Sequence, residues 1–163
     1  MSFNREEHIK KAQNLSKENK SFLDKLKKKK PKDLDGRVLQ FHHEAFEKFD
    51  CLECANCCKS ISPIVIDRDI DRIAKYLKKK PSELIDSYLK LDNDEDYVFK
   101  TTPCPFLMPD NYCRIYDVRP RACREYPHTD RKRFHQILNL TYQNTFVCPI
   151  VTDVVQKLKE SYL

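Results

Sequence analysis

The chain has 163 residues, of which 34% are charged and 40% are hydrophobic when its eight cysteines are included. This length suits one domain with an extension, and the modest apolar share predicts a small core that a covalent or metal cross-link would stabilise. Gly36 is the only glycine, which excludes the glycine-rich loops of dinucleotide-binding folds, of P-loops and of common methyl-donor sites.

The net charge of +6 belongs to the N-terminal segment. Residues 1–37 carry 12 Lys or Arg against 6 Asp or Glu, whereas residues 38–163 carry 19 of each. We therefore predict a basic helical extension over residues 1–37 and a cysteine-cluster domain over residues 38–163. Aromatic residues are not interleaved with the lysines, so we interpret them as a solvated helical face and do not expect nucleic-acid binding.

The first half of the chain contains two helical patterns separated by turn-forming residues. Residues 4–29 carry a thin apolar stripe, and Pro31 predicts the end of this polar helix. The stretch Pro31–Arg37 contains an Asp-Gly pair and predicts a linker. In Val38–Phe49, apolar residues recur in steps of three and four, which predicts a helix leading into Cys51.

The middle of the chain alternates short extended stretches with helices. Ser62–Ile66 predicts an extended segment, after which Asp67 suits the N-cap of a helix and Asp69 a charge in its first turn. Pro81–Leu91 predicts a second helix, with proline near its first turn. Tyr97–Phe99 predicts a short strand.

The C-terminal part is rich in proline and aromatic residues before it becomes helical again. We predict a short helix over Pro120–Arg124 and a final helix over residues 149–160, whereas residues 128–147 show no clear pattern. The predicted fold is mainly α: a small helical domain with irregular cysteine-rich metal-binding loops and at most short strands.

The start of the chain, MSFNREEHIKKAQ, is charged where a signal peptide would need an apolar region. No apolar run approaches the length of a membrane span. We therefore expect a cytoplasmic protein, where thiols stay reduced, and this favours metal binding over disulfides.

The cysteines follow a spacing typical of metal ligands. Three of them form C-x-x-C-x-x-C, a step used by zinc knuckles and by iron–sulfur loops. Two others precede proline, as one ligand does in bacterial ferredoxins. Soft thiolates suit zinc and iron–sulfur clusters alike, so the spacing predicts one or two centres of either kind. The eight candidate ligands are Cys51, Cys54, Cys57, Cys58, Cys104, Cys113, Cys123 and Cys148.

Cys57 and Cys58 are adjacent. In an extended chain, neighbouring side chains point to opposite sides, so the two thiols do not easily bind one ion. We therefore expect them to serve two different centres or to bridge them.

Basic residues surround the later cysteines. Arg114, Arg119, Arg121 and Arg124 can balance the negative charge of a thiolate site and donate hydrogen bonds to sulfur, and a solvated basic face remains the alternative. His128 lies five residues after a cysteine and is a candidate for contact with a metal site.

These motifs occur in a characteristic order: CLECANCC, PCPFL, CRIYDVRP, CREYP and a late Cys-Pro pair. Over about residues 47–150 the chain resembles the bacterial CxxCxxCC cysteine-cluster family (YkgJ-type), described as a zinc- or iron-chelating domain. The resemblance implies that all eight cysteines belong to the metal-binding set. The family also includes proteins called flagellin lysine N-methylases.

Three functional hypotheses follow. The first is a cytoplasmic protein that binds zinc or iron, including an iron–sulfur cluster, in a structural, redox or iron-handling role. The second is a metal-dependent protein-modifying enzyme such as a lysine N-methylase, against which the near absence of glycine argues. The third is a zinc-type module that binds nucleic acid or protein through the N-terminal lysines. The partners expected are metal ions and a protein.

Overall fold

The computed structural model describes residues 3–163. Among these residues, no helix combines the length and apolar character that a membrane span needs. The only sheet in this range has two short strands, so the predicted mainly α fold class is confirmed. In chain order the elements are α1 Arg5–Lys29, α2 Leu34–Lys48, α3 Cys51–Cys54, α4 Asn56–Ser60, α5 Asp67–Tyr76, α6 Pro81–Tyr88, β1 Leu89–Leu91, β2 Tyr97–Phe99, a 3₁₀ helix Tyr116–Val118, α7 Arg121–Glu125, a 3₁₀ helix Phe134–Ile137, α8 Leu138–Asn144 and α9 Pro149–Tyr162.

The chain divides into two compact units. Unit 1 contains the described residues up to Cys54 together with Pro127–Leu163, and unit 2 is Ala55–Tyr126. The functional division predicted at residues 37 and 38 stays a prediction.

Helix α1 begins and ends at local signals in the sequence. The Asn4 side chain accepts a backbone N–H of the first turn at 3.1 Å. At the other end, Lys30 adopts a left-handed conformation with φ of 44°, and its N–H donates to the carbonyl of Leu26 at 2.9 Å. The helix therefore stops before Pro31, as predicted.

The predicted linker is wrong in its second half, because helix α2 already begins at Leu34 and includes Gly36. Leu34 is buried, and the Asp35 carboxylate accepts the backbone N–H groups of Arg133 at 2.7 Å and Phe134 at 2.9 Å. These contacts offset the helix-propensity cost of the glycine, about 1 kcal/mol.

The core of unit 1 lies where α9 packs against α2 and α1. The inward face predicted for the last helix is confirmed, since Val151, Val154, Val155 and Leu158 are all buried. Across from α9, helix α2 buries Val38, Phe41 and Ala45, and α1 buries Ala12, Phe22, Leu23 and Leu26.

Two ionisable side chains are also buried in unit 1. The His8 ring donates from Nε2 to the carbonyl of Thr145 at 3.0 Å, and burial lowers the pKa of this imidazole. Lys159 in α9 is 2% exposed and pairs with the Glu18 carboxylate of α1 at 2.8 Å. The interface of α1 is therefore partly polar.

Unit 2 is organised around one cluster of apolar side chains supplied by α5, α6, the strands and the loops that follow. The strands are antiparallel, with Leu89 opposite Phe99, and Ile64 forms an isolated bridge to Val98. The buried members of the cluster are Val65, Ile70, Ile73, Ala74, Leu84, Leu89, Phe99, Phe106 and Ile115.

One predicted helix in unit 2 is shorter than expected. Helix α6 ends at Tyr88, and Leu89–Leu91 forms strand β1 instead of a last helical turn. Pairing with the predicted strand Tyr97–Phe99 buries Leu89 in the apolar cluster, and this tertiary contact decides the conformation.

Candidate metal centre

Four cysteines of unit 2 come from three separate parts of the chain. Cys58 lies on α4, and its carbonyl accepts the N–H of Cys104 at 2.7 Å. Cys113 forms an isolated antiparallel bridge with Leu107, three residues after Cys104. Cys123 lies on α7. We call these four thiols the unit 2 set.

The four thiols are close enough to act on one another electrostatically. Burial, followed by the charges of Cys58, Cys104 and Cys113, raises the pKa of Cys123 to about 12. Burial likewise raises the pKa of Cys104 to about 11, and Cys58 and Cys113 add to the increase. Burial also raises the pKa of Cys113, with a contribution from Cys58. The charge of Cys58 thus acts on each of the other three thiols of the unit 2 set.

Backbone N–H groups point at the sulfur atoms of this set. Phe106 and Leu107 donate to Cys104, and Ile115 donates to Cys113, and each of these hydrogen bonds opposes the pKa increase that burial causes. Such donors stabilise a sulfur anion, which is the form that binds metal.

Three further cysteines lie in unit 1. Cys51 and Cys54 bound the short helix α3, and Cys148 is the N-cap of α9, where it is 8% exposed. Burial raises the pKa of Cys148 to about 12, N–H groups of Ile150 and Val151 oppose the increase, and the charges of Cys54 and Cys51 add to it. We call these three thiols the unit 1 set.

Cys57 and Cys58 are not in an extended segment, because both lie on helix α4. Successive side chains of a helix are about 100° apart. The prediction that these two thiols point to opposite sides assumed an extended chain, and that assumption is wrong. A hydrogen bond from Cys57 lowers the pKa of Cys58 to about 7, which makes Cys58 the most readily ionised member of the unit 2 set.

The predicted basic neighbours have different positions. Arg119 lies near the unit 2 set: burial raises the pKa of Cys113 and of Cys123, and the charge of Arg119 opposes the increase. Its guanidinium also lies over the Tyr116 ring, 4.0 Å from the centroid. Arg121, by contrast, pairs with Glu125 at 2.7 Å.

The remaining predicted neighbours are Arg114, Arg124 and His128. Arg114 and Arg124 have exposed side chains. His128 lies in unit 1 with a left-handed φ of 64°. Their roles at a metal site stay predictions.

Asp69 lies in the first turn of α5, as predicted, but it is buried and makes contacts that its position in the sequence does not indicate. Ile66, not Asp67, is the N-cap of α5, and the Asp69 carboxylate accepts the Ile66 N–H at 3.2 Å. Asp69 is only 1% exposed and also contacts Arg72 and the backbone of Arg121. A carboxylate in a first helical turn ordinarily faces solvent, so no local sequence signal identifies this burial.

Within residues 3–163, no three His, Cys, Asp or Glu side chains are grouped closely enough to hold a metal ion. The described sulfur atoms of the two sets therefore do not form a closed coordination sphere. Their chemistry still fits zinc or iron: the donors are soft, N–H groups point at the sulfurs, and a nearby cation offsets thiolate charge. In unit 2, the residues that would hold the metal are Cys58, Cys104, Cys113 and Cys123.

The chain is similar to a known protein over part of its length. No solved structure matches the chain. "Uncharacterized protein MJ0661" of Methanocaldococcus jannaschii is 33% identical over 102 residues, which is 61% of this chain and 54% of the relative. The chain thus spans about half the length of that relative.

The family model CxxCxxCC, described as "Putative zinc- or iron-chelating domain", matches residues 50–145. This range contains seven of the eight cysteines, including the whole unit 2 set, and ends just before Cys148. The chain belongs to the CxxCxxCC family of zinc- or iron-chelating domains.

Proposed function

We propose that the protein binds zinc or iron, the latter including an iron–sulfur cluster, at two thiolate centres that hold its fold together. The observation that carries the proposal is the unit 2 set, in which the Cys58 carbonyl accepts the N–H of Cys104 at 2.7 Å and the charge of Cys58 acts on the other three thiols. Four cysteines are the complete ligand set of a structural zinc site and of a simple iron–sulfur cluster.

The second centre uses the unit 1 set. Cys51 and Cys54 act electrostatically on Cys148, although more than half of the chain's length separates them in sequence. Cys57, the third member of the C-x-x-C-x-x-C spacing, is a candidate metal ligand as well and is assigned to neither centre. All eight cysteines are thereby candidates for metal binding.

A structural role follows from the size of the cores. The buried apolar cluster of unit 2 has nine members, and small cores of this kind are usually supplemented by metals or disulfides. A structural zinc site contributes about 10–16 kcal/mol of apparent binding free energy, whereas a whole domain is stable by about 5–15 kcal/mol. Loss of the metal should therefore unfold residues 38–163, the helices included.

The cytoplasm is the compartment that suits this function, because its thiols are kept reduced. In the structure, Cys58, Cys104, Cys113, Cys123 and Cys148 are free thiols. A reduced thiol loses its proton when it binds a metal ion, and the metal supplies the positive charge that stabilises the resulting thiolate.

The test is anaerobic purification followed by measurement of zinc, iron and acid-labile sulfide per chain. A brown protein with iron and sulfide would identify iron–sulfur centres, and a colourless protein with about two zinc ions would identify paired four-thiolate sites. Removal of the metal by a chelator under reducing conditions should then abolish the circular dichroism of the helices in large part. A metal-free, reduced protein that remains fully folded would refute the structural role.

A further inference from the structure

A buried acidic residue connects helix α5 to the segment that carries the last thiol of the unit 2 set. Asp69 Oδ1 accepts from Arg72 Nη2 at 2.7 Å, and the two carboxylate oxygens lie 3.2 and 3.3 Å from the backbone nitrogen of Arg121. The carboxylate is 1% exposed, so these are interactions in a region of low dielectric, where they are strong.

The partner of Asp69 reaches the same segment. Arg72 Nη2 also donates to the carbonyl of Arg119 at 2.8 Å. Arg119 in turn donates from Nη1 to the Tyr116 carbonyl at 2.8 Å. The backbone is therefore held on both sides of Pro120, at Arg119 and at Arg121. We call the pair Asp69 and Arg72 the carboxylate–guanidinium clamp.

The clamp acts on the start of a short helix. Helix α7, Arg121–Glu125, has five residues, and a helix of that length is not stable by itself. Arg121 is its first residue, so its backbone N–H lacks a partner inside the helix. Asp69 supplies this partner from another helix, and its negative charge is favourable at a helix N-terminus.

We propose that Asp69 and Arg72 are positioning residues of the unit 2 metal centre, which hold the Arg119–Arg121 segment and thereby place the sulfur of Cys123. This inference rests on the proposed function, because it requires a metal at the unit 2 set. Metal–sulfur distances tolerate deviations of only about 0.2 Å. A helix start that is free to move would leave Cys123 a poorer ligand, while the other three thiols keep their own supports.

The test compares Asp69→Asn with Asp71→Asn in the full chain. Asp71 lies on the same helix but is exposed, so it is a matched control for the loss of one charge. Both changes are also made together with Cys148→Ser, which disables the unit 1 centre and leaves metal at the unit 2 set alone. Metal per chain and the rate of its release to a chelator are measured, and circular dichroism reports the fold.

We expect Asp69→Asn to weaken metal binding at the unit 2 centre by about 10–100-fold, the usual effect of losing a residue that supports metal ligands. The unit 1 centre and Asp71→Asn should match the unmodified protein. Unchanged release in Asp69→Asn would overturn the inference. Equal loss from both centres would overturn it too, because it would show a general effect on folding.

A second variant covers the case in which Asp69→Asn does not fold. Arg72→Met keeps most of the aliphatic stem but removes Nη2, and with it the hydrogen bonds to Asp69 and to the Arg119 carbonyl. It should release metal from the unit 2 centre faster than the unmodified protein, and an unchanged release rate would overturn the inference. Absence of metal from the unmodified protein would instead refute the proposed function, and this inference with it.

Discussion

Replacement of one thiol should remove one metal centre and leave the other. We choose Cys58→Ser, because Cys58 belongs to the unit 2 set and its backbone carbonyl, which accepts the N–H of Cys104, is retained in serine. The change therefore isolates the sulfur atom. A serine hydroxyl is a hard oxygen donor and a poor substitute for thiolate at a soft-metal site.

The magnitude follows from the four-thiol composition of the set. If four thiolates contribute equally to a structural zinc site of about 10–16 kcal/mol, each contributes about 2.5–4 kcal/mol. Because about 1.4 kcal/mol corresponds to a tenfold change, the affinity of this centre should fall by about two to three orders of magnitude. A chelator of intermediate strength should then empty this centre and not the other.

The assay is metal analysis after incubation of each anaerobically purified variant with such a chelator. Cys58→Ser should fall from about two metal equivalents to about one if the centres are four-thiolate zinc sites. Iron and sulfide would fall in parallel if they are clusters. Cys57→Ser, its matched neighbour, should leave the unit 2 centre occupied. Loss of both centres in Cys58→Ser, or of neither, would refute the assignment of Cys58.

Three further predictions concern stability. Burial lowers the pKa of His8 in the folded protein below its unfolded value of about 6.5, so the unfolded chain binds more protons in acid. The free energy of unfolding should therefore fall as the pH drops below about 6.5. His8→Gln should remove that part of the pH dependence in urea titrations. Phe106, 1% exposed, packs in the unit 2 core, so Phe106→Ala should cost about 3–5 kcal/mol, whereas Phe46→Ala, at a site 39% exposed, should cost much less in the same titrations. Glu18→Gln leaves the buried Lys159 ammonium without its carboxylate and should lower the melting temperature, whereas Lys159→Met should leave it nearly unchanged. A lower melting temperature for Lys159→Met than for Glu18→Gln would contradict a buried charge at this interface.

Much of the fold could be predicted because its signals are local. The stop of α1 before Pro31 depends on proline geometry, and the inward face of α9 depends on apolar spacing. The predictions failed where distant contacts outweighed local preference. Gly36 is helical because Leu34 is buried and Asp35 binds a remote backbone, and Leu89 is extended because it pairs with Phe99.

The sequence by itself determined the chemistry of the candidate site: soft donors in a metal-ligand spacing, with arginines nearby. It could not determine which thiols are neighbours. Cys58 and Cys123 interact because helices, strands and loops bury their apolar faces in one cluster, and no local pattern encodes that arrangement. The same is true of Asp69, since a carboxylate in a first helical turn looks solvated until the tertiary structure places Arg72 and the start of α7 around it.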